Sequence, residues 1–310
     1  MTETVNPVWA DVKPTLSILI PFLNDDPTRL LSALVETDAD IGHQVEIVVL
    51  DDGTGSEDLT QHLTQTIRSL PVAARLITLR VNSGRAKGRN QLAQAARGRY
   101  YLFLDADMLP DGQNFVAAWL NLIDKMDPEV AFGGFSLLQA PTDKRFSVHR
   151  AMALRSDCIN ASDRQLRPEK HIFTSNLLIR RDVFDAHQFD PDFSGWGWED
   201  VEWGMRVCKR HKILHPHIPA THMGLDDVKT LKQKYRQSAD NFALIARLHP
   251  EYVTEYPSYI AAQALKQRNM AKPVQAISGW MTDQTALPVK LRAFMMRVYR
   301  SALYAQALAK

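Results

Sequence analysis

The sequence predicts an α/β chain: a sheet of mainly parallel strands with helices on both faces, extended at its C-terminal end by helices alone. Three observations lead there. Short apolar, β-branched runs alternate with amphipathic helical stretches over the first hundred residues, the pattern of strand–helix–strand units. Acidic and glycine clusters fall just after those runs, at the edge where open parallel sheets place their ligands. Beyond Asp226 the strand signal stops and only helical periodicity remains.

Taken in order, residues 15–20 (TLSILI) form the first strand, ended by Pro21. Thr28 is placed to cap a helix that turns Leu30, Leu31, Leu34 and Val35 inward. Residues 45–50 (VEIVVL) are the second strand, stopped by Asp51-Asp52-Gly53. Ser56 caps a second helix, whose Leu59, Leu63, Ile67 and Leu70 share one face. Residues 75–79 are a third strand and 84–97 a small, Ala-rich helix. Residues 99–104 (RYYLFL) are a fourth strand, running into Asp105-Ala106-Asp107. Residues 130–136 and 172–180 read as further strands, separated by a polar, mixed stretch of helix and loops. SGWGWED at 194–200 is a Gly/Trp loop, and the helix after it carries Val201, Met205 and Cys208 on one side. Residues 212–218 are the last strand, ended by Pro219.

Two helices then stand out. One carries Val228, Leu231, Tyr235, Phe242 and Ile245 on a stripe. The other, near 288–308, sets Leu291, Phe294, Val298 and Ala302 against Lys290, Arg292, Arg297 and Arg300. Such a basic amphipathic helix has two readings: packing on the rest of the chain, or peripheral contact with an anionic membrane face. On this division residues 1–224 are one α/β domain and 225–310 a helical extension.

At 310 residues, with 45% hydrophobic and 23% charged side chains, the composition is that of a globular chain with a real core. A formal charge of +2 is too balanced to argue for nucleic acid, and none is expected as a partner. Cys158 and Cys208 show neither zinc spacing nor a disulfide framework, which points to a reducing cytoplasm. The opening MTETVNPVWADVKP lacks the regions of a signal peptide, and no window approaches the roughly 20 apolar residues of a spanning helix.

Five segments carry side chains suited to chemistry. Asp105 and Asp107 lie at alternating positions after a strand; in an extended segment both would face one cation, magnesium or manganese, that bridges to substrate phosphates. Asp52 can accept from a base imide or a ribose hydroxyl, although Asp-Gly also favours a plain turn. Asn82 to Asn90 opens a helix with Arg85, Lys87 and Arg89, three cations that oppose the helix dipole unless an anion is near. In Trp196-Gly197-Trp198-Glu199-Asp200, indoles can stack on sugar rings and acids can take a hydroxyl proton; equally, the tryptophans can be core and the acids a helix start. His222 follows the last strand and can complete a metal shell with Asp107, with His211, His215 and His217 as competitors.

In order and spacing these segments resemble the family 2 glycosyltransferases of GT-A fold. The likeness runs over residues 15–224 in LSILIPFLND, VVLDDGTGS, NSGRAKGRNQLAQAARGRYYLFLDAD and FTSNLLIRRDVFDAHQFDPDFSGWGWEDVEWGMRV. The last resembles the Gly-Trp-Gly-Glu-Asp region of chondroitin-polymerase-type and galactosyltransferase-like enzymes. The resemblance implies a Rossmann-like mixed sheet and transfer of a sugar from a nucleotide diphosphate, UDP by preference, to an acceptor hydroxyl with inversion. It implies Pro21, Asp52, Asn82 and Arg85 at the nucleoside, Asp105 at ribose or metal, Asp107 and His222 on manganese or magnesium, and Trp196 along the sugar subsite. Glu199 then binds hydroxyls and Asp200 is the general base. The acceptor expected from the family is a glycan or lipid-linked glycan in polysaccharide assembly. A retaining transferase and a non-catalytic nucleotide-sugar-binding module stand as rivals.

Overall fold

The computed structural model describes residues 1–37 and 42–310. In chain order the elements are β1 (Thr2–Val5), β2 (Leu16–Phe22), α1 (Thr28–Thr37), β3 (Val45–Asp51), α2 (Glu57–Ser69), β4 (Ala73–Thr78), α3 (Arg85–Ala95), β5 (Tyr100–Leu104), β6 (Met108–Pro110) and α4 (Phe115–Met126). Then come β7 (Val130–Phe132), β8 (Phe135–Ser136), α5 (Ser147–Ser156), α6 (Ala161–Arg164), β9 (Asn176–Arg180), α7 (Arg181–Ala186), α8 (Glu199–Val207), β10 (Ile213–Leu214) and β11 (Ala220–His222). The helices α9 (Val228–Leu248), α10 (Pro250–Val253), α11 (Pro257–Gln267), α12 (Ala271–Asp283) and α13 (Val289–Ala307) complete the chain.

Among the described residues, eight strands form one mixed sheet in the order β1-β4-β3-β2-β5-β9-β7-β10. Its centre, β4 to β5, is parallel, while β9 runs against both β5 and β7, and β1 runs against β4. Alternation of side chains along each strand builds both faces. Leu16, Ile18 and Ile20 of β2 and Ile47 and Val49 of β3 meet α1, α2 and α4. Leu19, Val48 and Leu50 point the other way, into a core with Leu92 of α3 and with Phe184, Phe189 and Trp203. Both faces are thus covered, as buried parallel strands require. A second sheet, β6-β11-β8, begins one turn beyond the carboxyl end of β5, with His222 paired in register to Met108.

The predicted strands and helices of the first hundred residues are present, with local shifts. β2 continues through Pro21. Phe22 O accepts from Asp52 N, so Pro21 faces β5, whose pairing with β2 has already ended at Leu19, and its missing N–H costs no ladder bond. Asp26, not Thr28, caps α1: its Oδ1 accepts from Thr28 N at 2.9 Å. Ser56 caps α2 as expected, accepting from Leu59 N at 3.3 Å. The run 130–136 divides at Gly133-Gly134 and its halves join different sheets; a Cβ on Gly133 would lie 2.4 Å from Ile218 O. The run 212–218 is strand only at β10, and β11 follows Pro219. The elements β1, β6, α4 and α7 were not anticipated.

The last helices form a bundle with α5. Leu231, Tyr235, Phe242 and Ile245 of α9 are buried along the expected stripe. The inward face of α13 differs from the expected one. Arg292, Ala293, Met296, Tyr299 and Leu303 are buried, whereas Phe294 is 49% exposed. The reason lies in the arginines, which the amphipathic pattern assigned to an outer, membrane-ready face. Arg292 donates through Nε to Thr282 O at 2.9 Å, and Arg300 lies over the Tyr235 ring, so both turn into the bundle. The same core takes in Val148, Met152, Val201 and Met205, so the extension packs on the residues before 224. Among the described residues, no helix is long and apolar enough to cross a membrane, and Cys158 and Cys208 are free thiols.

Candidate active site

The polar clusters meet at the carboxyl end of the central strands. Asp52, just past β3, is 7% exposed and uses both carboxylate oxygens on the start of α3. Oδ1 accepts from Ser83 N at 2.7 Å and Ser83 Oγ at 2.6 Å, and Oδ2 from Gly84 N at 3.1 Å. It therefore caps a helix that enters with three cations. Gly53 permits the close approach: its φ is +86°, and a Cβ would stand 2.6 Å from Asn82 N. Asn82 is exposed beside a cavity of about 260 Å³, with Ser83, Gly84 and Lys87 on one wall and Phe193 to Gly195 on the other. Pro21 sits half-buried at the end of β2.

Two of the three cations on α3, Arg85 and Arg89, find counter-ions within the chain, while Lys87 is exposed. Arg89, only 1% exposed, donates from Nη2 to Asp105 Oδ1 at 2.8 Å and from Nη1 to Glu199 Oε1 at 3.4 Å. Arg85 donates from Nε to Glu199 Oε1 at 2.9 Å and lies 3.6 Å from Asp105 Oδ2. Ser175 Oγ donates to the same Oδ2 at 2.8 Å. Burial works to raise the Asp105 pKa, but the Arg89 and Arg85 charges and these bonds prevail and hold it at about 2.

Asp105 and Asp107 do not lie on an extended segment, contrary to expectation. Met108 N donates to Asp105 O at 3.0 Å and closes a turn. The carboxylates part: Asp105 enters the arginine network, while Asp107 Oδ2 lies 3.3 Å from His222 Nε2. Burial works against protonation of His222, but Asp107 outweighs it and raises the pKa. Gly224 leaves the space Asp107 occupies, since a Cβ there would stand 1.8 Å from Oδ2. Two octahedral ligands at about 2.1 Å from one ion sit about 3 Å apart, so the pair fits a hard divalent cation that takes its other ligands from phosphate and water. Among the described residues, no three His, Cys, Asp or Glu side chains converge as a complete cage. Of the competing histidines, His211 is bonded to Glu129 and His215 to Arg164, while His217 is exposed. His149, which sequence reasoning missed, has its ring 6.0 Å from that of His222, and burial, then His222, pushes its pKa down to about 3.

The loop before α8 is clamped by the extension. Asn241 of α9 donates through Nδ2 to both Ser194 O and Gly197 O at 2.9 Å. Gly195 and Gly197 have positive φ, and so does Trp198 at +78°, a conformation that costs a residue with a side chain roughly 1–2 kcal/mol. Its indole is fixed by Phe242, Tyr256 and Tyr304, donating to Tyr304 Oη at 3.2 Å. Trp198 is thus packed, partly buried, against the core of the helical bundle, close to one of the two readings. Trp196 is half-buried, edge-on to Tyr235 at 5.8 Å with Lys234 Nζ 5.8 Å from its ring centre.

What this loop delivers is Glu199 and Asp200 at the start of α8. Glu199 is held by the two arginines. Asp200 has no ion pair among the described residues, and its Oδ1 accepts only from Val201 N, at 2.8 Å. Burial, then the Glu199 charge, raises its pKa well above the usual carboxylate range. Arg89, Ser175, Lys234 and Asn241 are the site residues sequence reasoning did not assign. Only Arg89 left a signal, as a cation one helical turn from Arg85. A larger cavity of about 640 Å³, at Arg97, Arg99 and Arg180, is remote from this chemistry, below the other end of the strands.

The glycosyl transferase family 2 profile matches residues 17–187, which include Asp52, Arg85, Asp105 and Asp107 but stop before Glu199. Among solved structures, residues 1–349 of TarS from S. aureus are similar at a TM-score of 0.56 and 15% identity, over 95% of this chain and 90% of that one. A mannosyltransferase from Pyrobaculum calidifontis, in complex with GDP-Man and Mn2+, is similar at 0.61 and 14% identity, over 98% and 89%. The TarS fragment in complex with UDP-GlcNAc is similar at 0.52 and 16% identity, over 95% and 90%. No curated protein matches in sequence.

Proposed function

This chain belongs to glycosyl transferase family 2, and from that membership we propose that it moves a sugar from a nucleotide diphosphate to an acceptor hydroxyl with inversion, assisted by a divalent metal. The observation that carries the catalytic part is Asp200: a half-buried carboxylate, free of ion pairs among the described residues, with a raised pKa, set by a clamped loop beside two arginine-paired acids. A base must be unpaired to take a proton, and a pKa nearer the working pH suits it to the task.

In this reading Asp200 takes the acceptor hydroxyl proton as that oxygen attacks the anomeric carbon. The bond from that carbon to the diphosphate oxygen breaks on the opposite side. Glu199, with Oε1 on the arginines, offers Oε2 to a sugar hydroxyl. Trp196 lines the sugar subsite. Pro21 and Asn82 border the nucleoside, and Asp52 acts by fixing the backbone of Ser83 and Gly84. Arg85 and Asp105 close the ribose side as a pair. Asp107 and His222 would hold manganese or magnesium, which offsets charge on a departing diphosphate. UDP is the first donor to test and GDP the comparison, since neighbours of this fold are complexed with sugars of both. The setting we assign is cytoplasmic, in polysaccharide or glycoconjugate assembly.

Asp200→Asn tests the assignment. Turnover should fall by roughly 10²–10⁴ while donor still raises the melting temperature. A loss below tenfold would move the base to Glu199.

A further inference from the structure

We propose that the outer face of α12 rests on an anionic membrane surface, with its apolar side chains in the headgroup region and cations on either side. The inward face of α12 is fixed by contacts. Gln275 Oε1 accepts from Gln306 Nε2 at 2.8 Å, Ser278 and Thr282 are buried, and a Cβ on Gly279 would stand 3.2 Å from the Tyr299 ring. Lys232 of α9 donates to Gly279 O at 2.8 Å. Residues 273, 277, 280 and 284 follow at helical spacing on the opposite side. There Ile277 is 59% and Trp280 63% exposed, and Pro273 is exposed with them. Arg292 Nε reaches Thr282 O at 2.9 Å, so the start of α13, with Val289 exposed, lies beside the end of α12. Among the described residues, six of the fifteen exposed large apolar side chains fall between Ile260 and Phe294, so the exposure is gathered here rather than scattered.

The charges around this strip select its partner. Arg268 and Lys272 stand at the N-terminal end of α12, and Lys290 stands just beyond its other end. All three are exposed, and among the described residues no carboxylate lies within ion-pair distance of any of them. Asp283, the one acid between Pro257 and Lys310, is already bonded by Lys232. A second copy of this chain would set like charges against one another, so charge opposes self-association through this face. A nucleic acid would meet the cations and leave Ile277 and Val289 without an apolar partner. An anionic bilayer answers both: its phosphates take the cations, and the headgroup level takes an indole and its aliphatic neighbours. The face is not the one expected from the pattern of α13, whose Arg292 and Arg300 turn into the bundle. None of these residues is among the site residues named above, so the proposal stands apart from the transferase reading.

The full chain is sedimented with vesicles of equal parts phosphatidylglycerol and phosphatidylcholine, or of phosphatidylcholine alone. Wild type should partition into the anionic vesicles at least about tenfold more strongly, and raised salt should release it. Ile277→Ser with Trp280→Ser should lower anionic partitioning at least about tenfold, and Lys272→Gln with Lys290→Gln by a similar factor, each at the wild-type melting temperature. Met126→Ser with Leu166→Ser, exposed apolar residues elsewhere, is the control and should bind as wild type does. Trp280→Phe should still bind, yet lose most of the fluorescence quenching that brominated lipid causes in wild type. Absent or equal partitioning of wild type into the two vesicles, equal losses in the site and control pairs, or quenching unaltered by Trp280→Phe would overturn the proposal. So would lipid-free dimerisation of wild type that Ile277→Ser with Trp280→Ser abolishes, which would give the face to a second copy.

Discussion

Arg89 is the most consequential side chain of the network that joins Asp105 and Glu199, and Arg89→Met measures it. The guanidinium is 1% exposed and bonds Asp105 and Glu199 at once. The Asp105 pKa is held at about 2 against an ordinary 3.8, and Arg89 is the strongest influence lowering it. That difference corresponds to on the order of 2 kcal/mol of folding free energy at neutral pH. The variant also leaves Glu199 with Arg85 alone, and breaking a buried pair from one side costs about 3–5 kcal/mol. Because the Asp105 side chain is 20% exposed, the expected loss is at the lower end, about 3 kcal/mol. The pH dependence is the sharper test. In the wild type a lowered pKa contributes stability that is complete above the ordinary value and is lost only as pH falls through about 2, so it is constant from pH 5 to 8. In the variant burial is no longer outweighed by Arg89, the Asp105 pKa rises, and protonation at lower pH recovers stability. Urea unfolding at pH 8, 6.5 and 5 should show a deficit that is largest at pH 8 and shrinks toward pH 5. A deficit below about 1 kcal/mol at pH 8, or one independent of pH, would refute the reasoning.

Other expectations follow from the same geometry. The acid limb of the wild-type kcat profile should lie above the usual carboxylate range, because burial and Glu199 raise the Asp200 pKa and only the deprotonated form accepts a proton; a limb near pH 4 would count against Asp200 as the base. Gly224→Ala should push Asp107 off His222 while sparing the fold, so manganese stimulation of donor hydrolysis should weaken about tenfold; unaltered metal response would detach this pair from the metal. Asn241→Ala releases Ser194 O and Gly197 O together, with an expected stability loss of about 1–3 kcal/mol and a kcat loss greater than the change in donor KM. A chain ended after Thr285 loses α13 and with it Tyr304, Met296 and Leu303, and should unfold at a much lower temperature; retention of the wild-type melting temperature would mean the helix is dispensable.

The sheet was legible because its strands are short, β-branched and buried on two faces, a pattern that survives without tertiary information. β6 and β11 were not, because three-residue strands take their definition from partners distant in sequence. The face of α13 was misread for a related reason: a count of apolar positions treats Arg292 as outward, whereas a carbonyl at the end of α12 and an aliphatic stem make its burial tolerable. At the site, residue types were readable and pairings were not. Asp52 was read as a ligand contact or a plain turn, and its bonds to the start of α3 were not foreseen; Asp105 and Asp107 were read as one convergent pair and are divided by a turn. His149 and Asn241 carry no local motif, and their proximity to the site is a product of how α5 and α9 pack.

The clamp on the 194–198 loop bears on how such a chain can be recombined. By sequence, the stretch between His222 and Val228 is a natural seam, with the last strand before it and only helices after it. A crossover there would preserve every strand and every acidic residue named above. It would nevertheless bring in a foreign residue at 241 and foreign aromatics at 242, 256 and 304, and the left-handed Trp198 would lose the packing that holds it. Chimeras made at this point should inherit donor affinity from one parent and fail to turn over, until Asn241 and the aromatic cradle are carried across with the loop as a single inherited block.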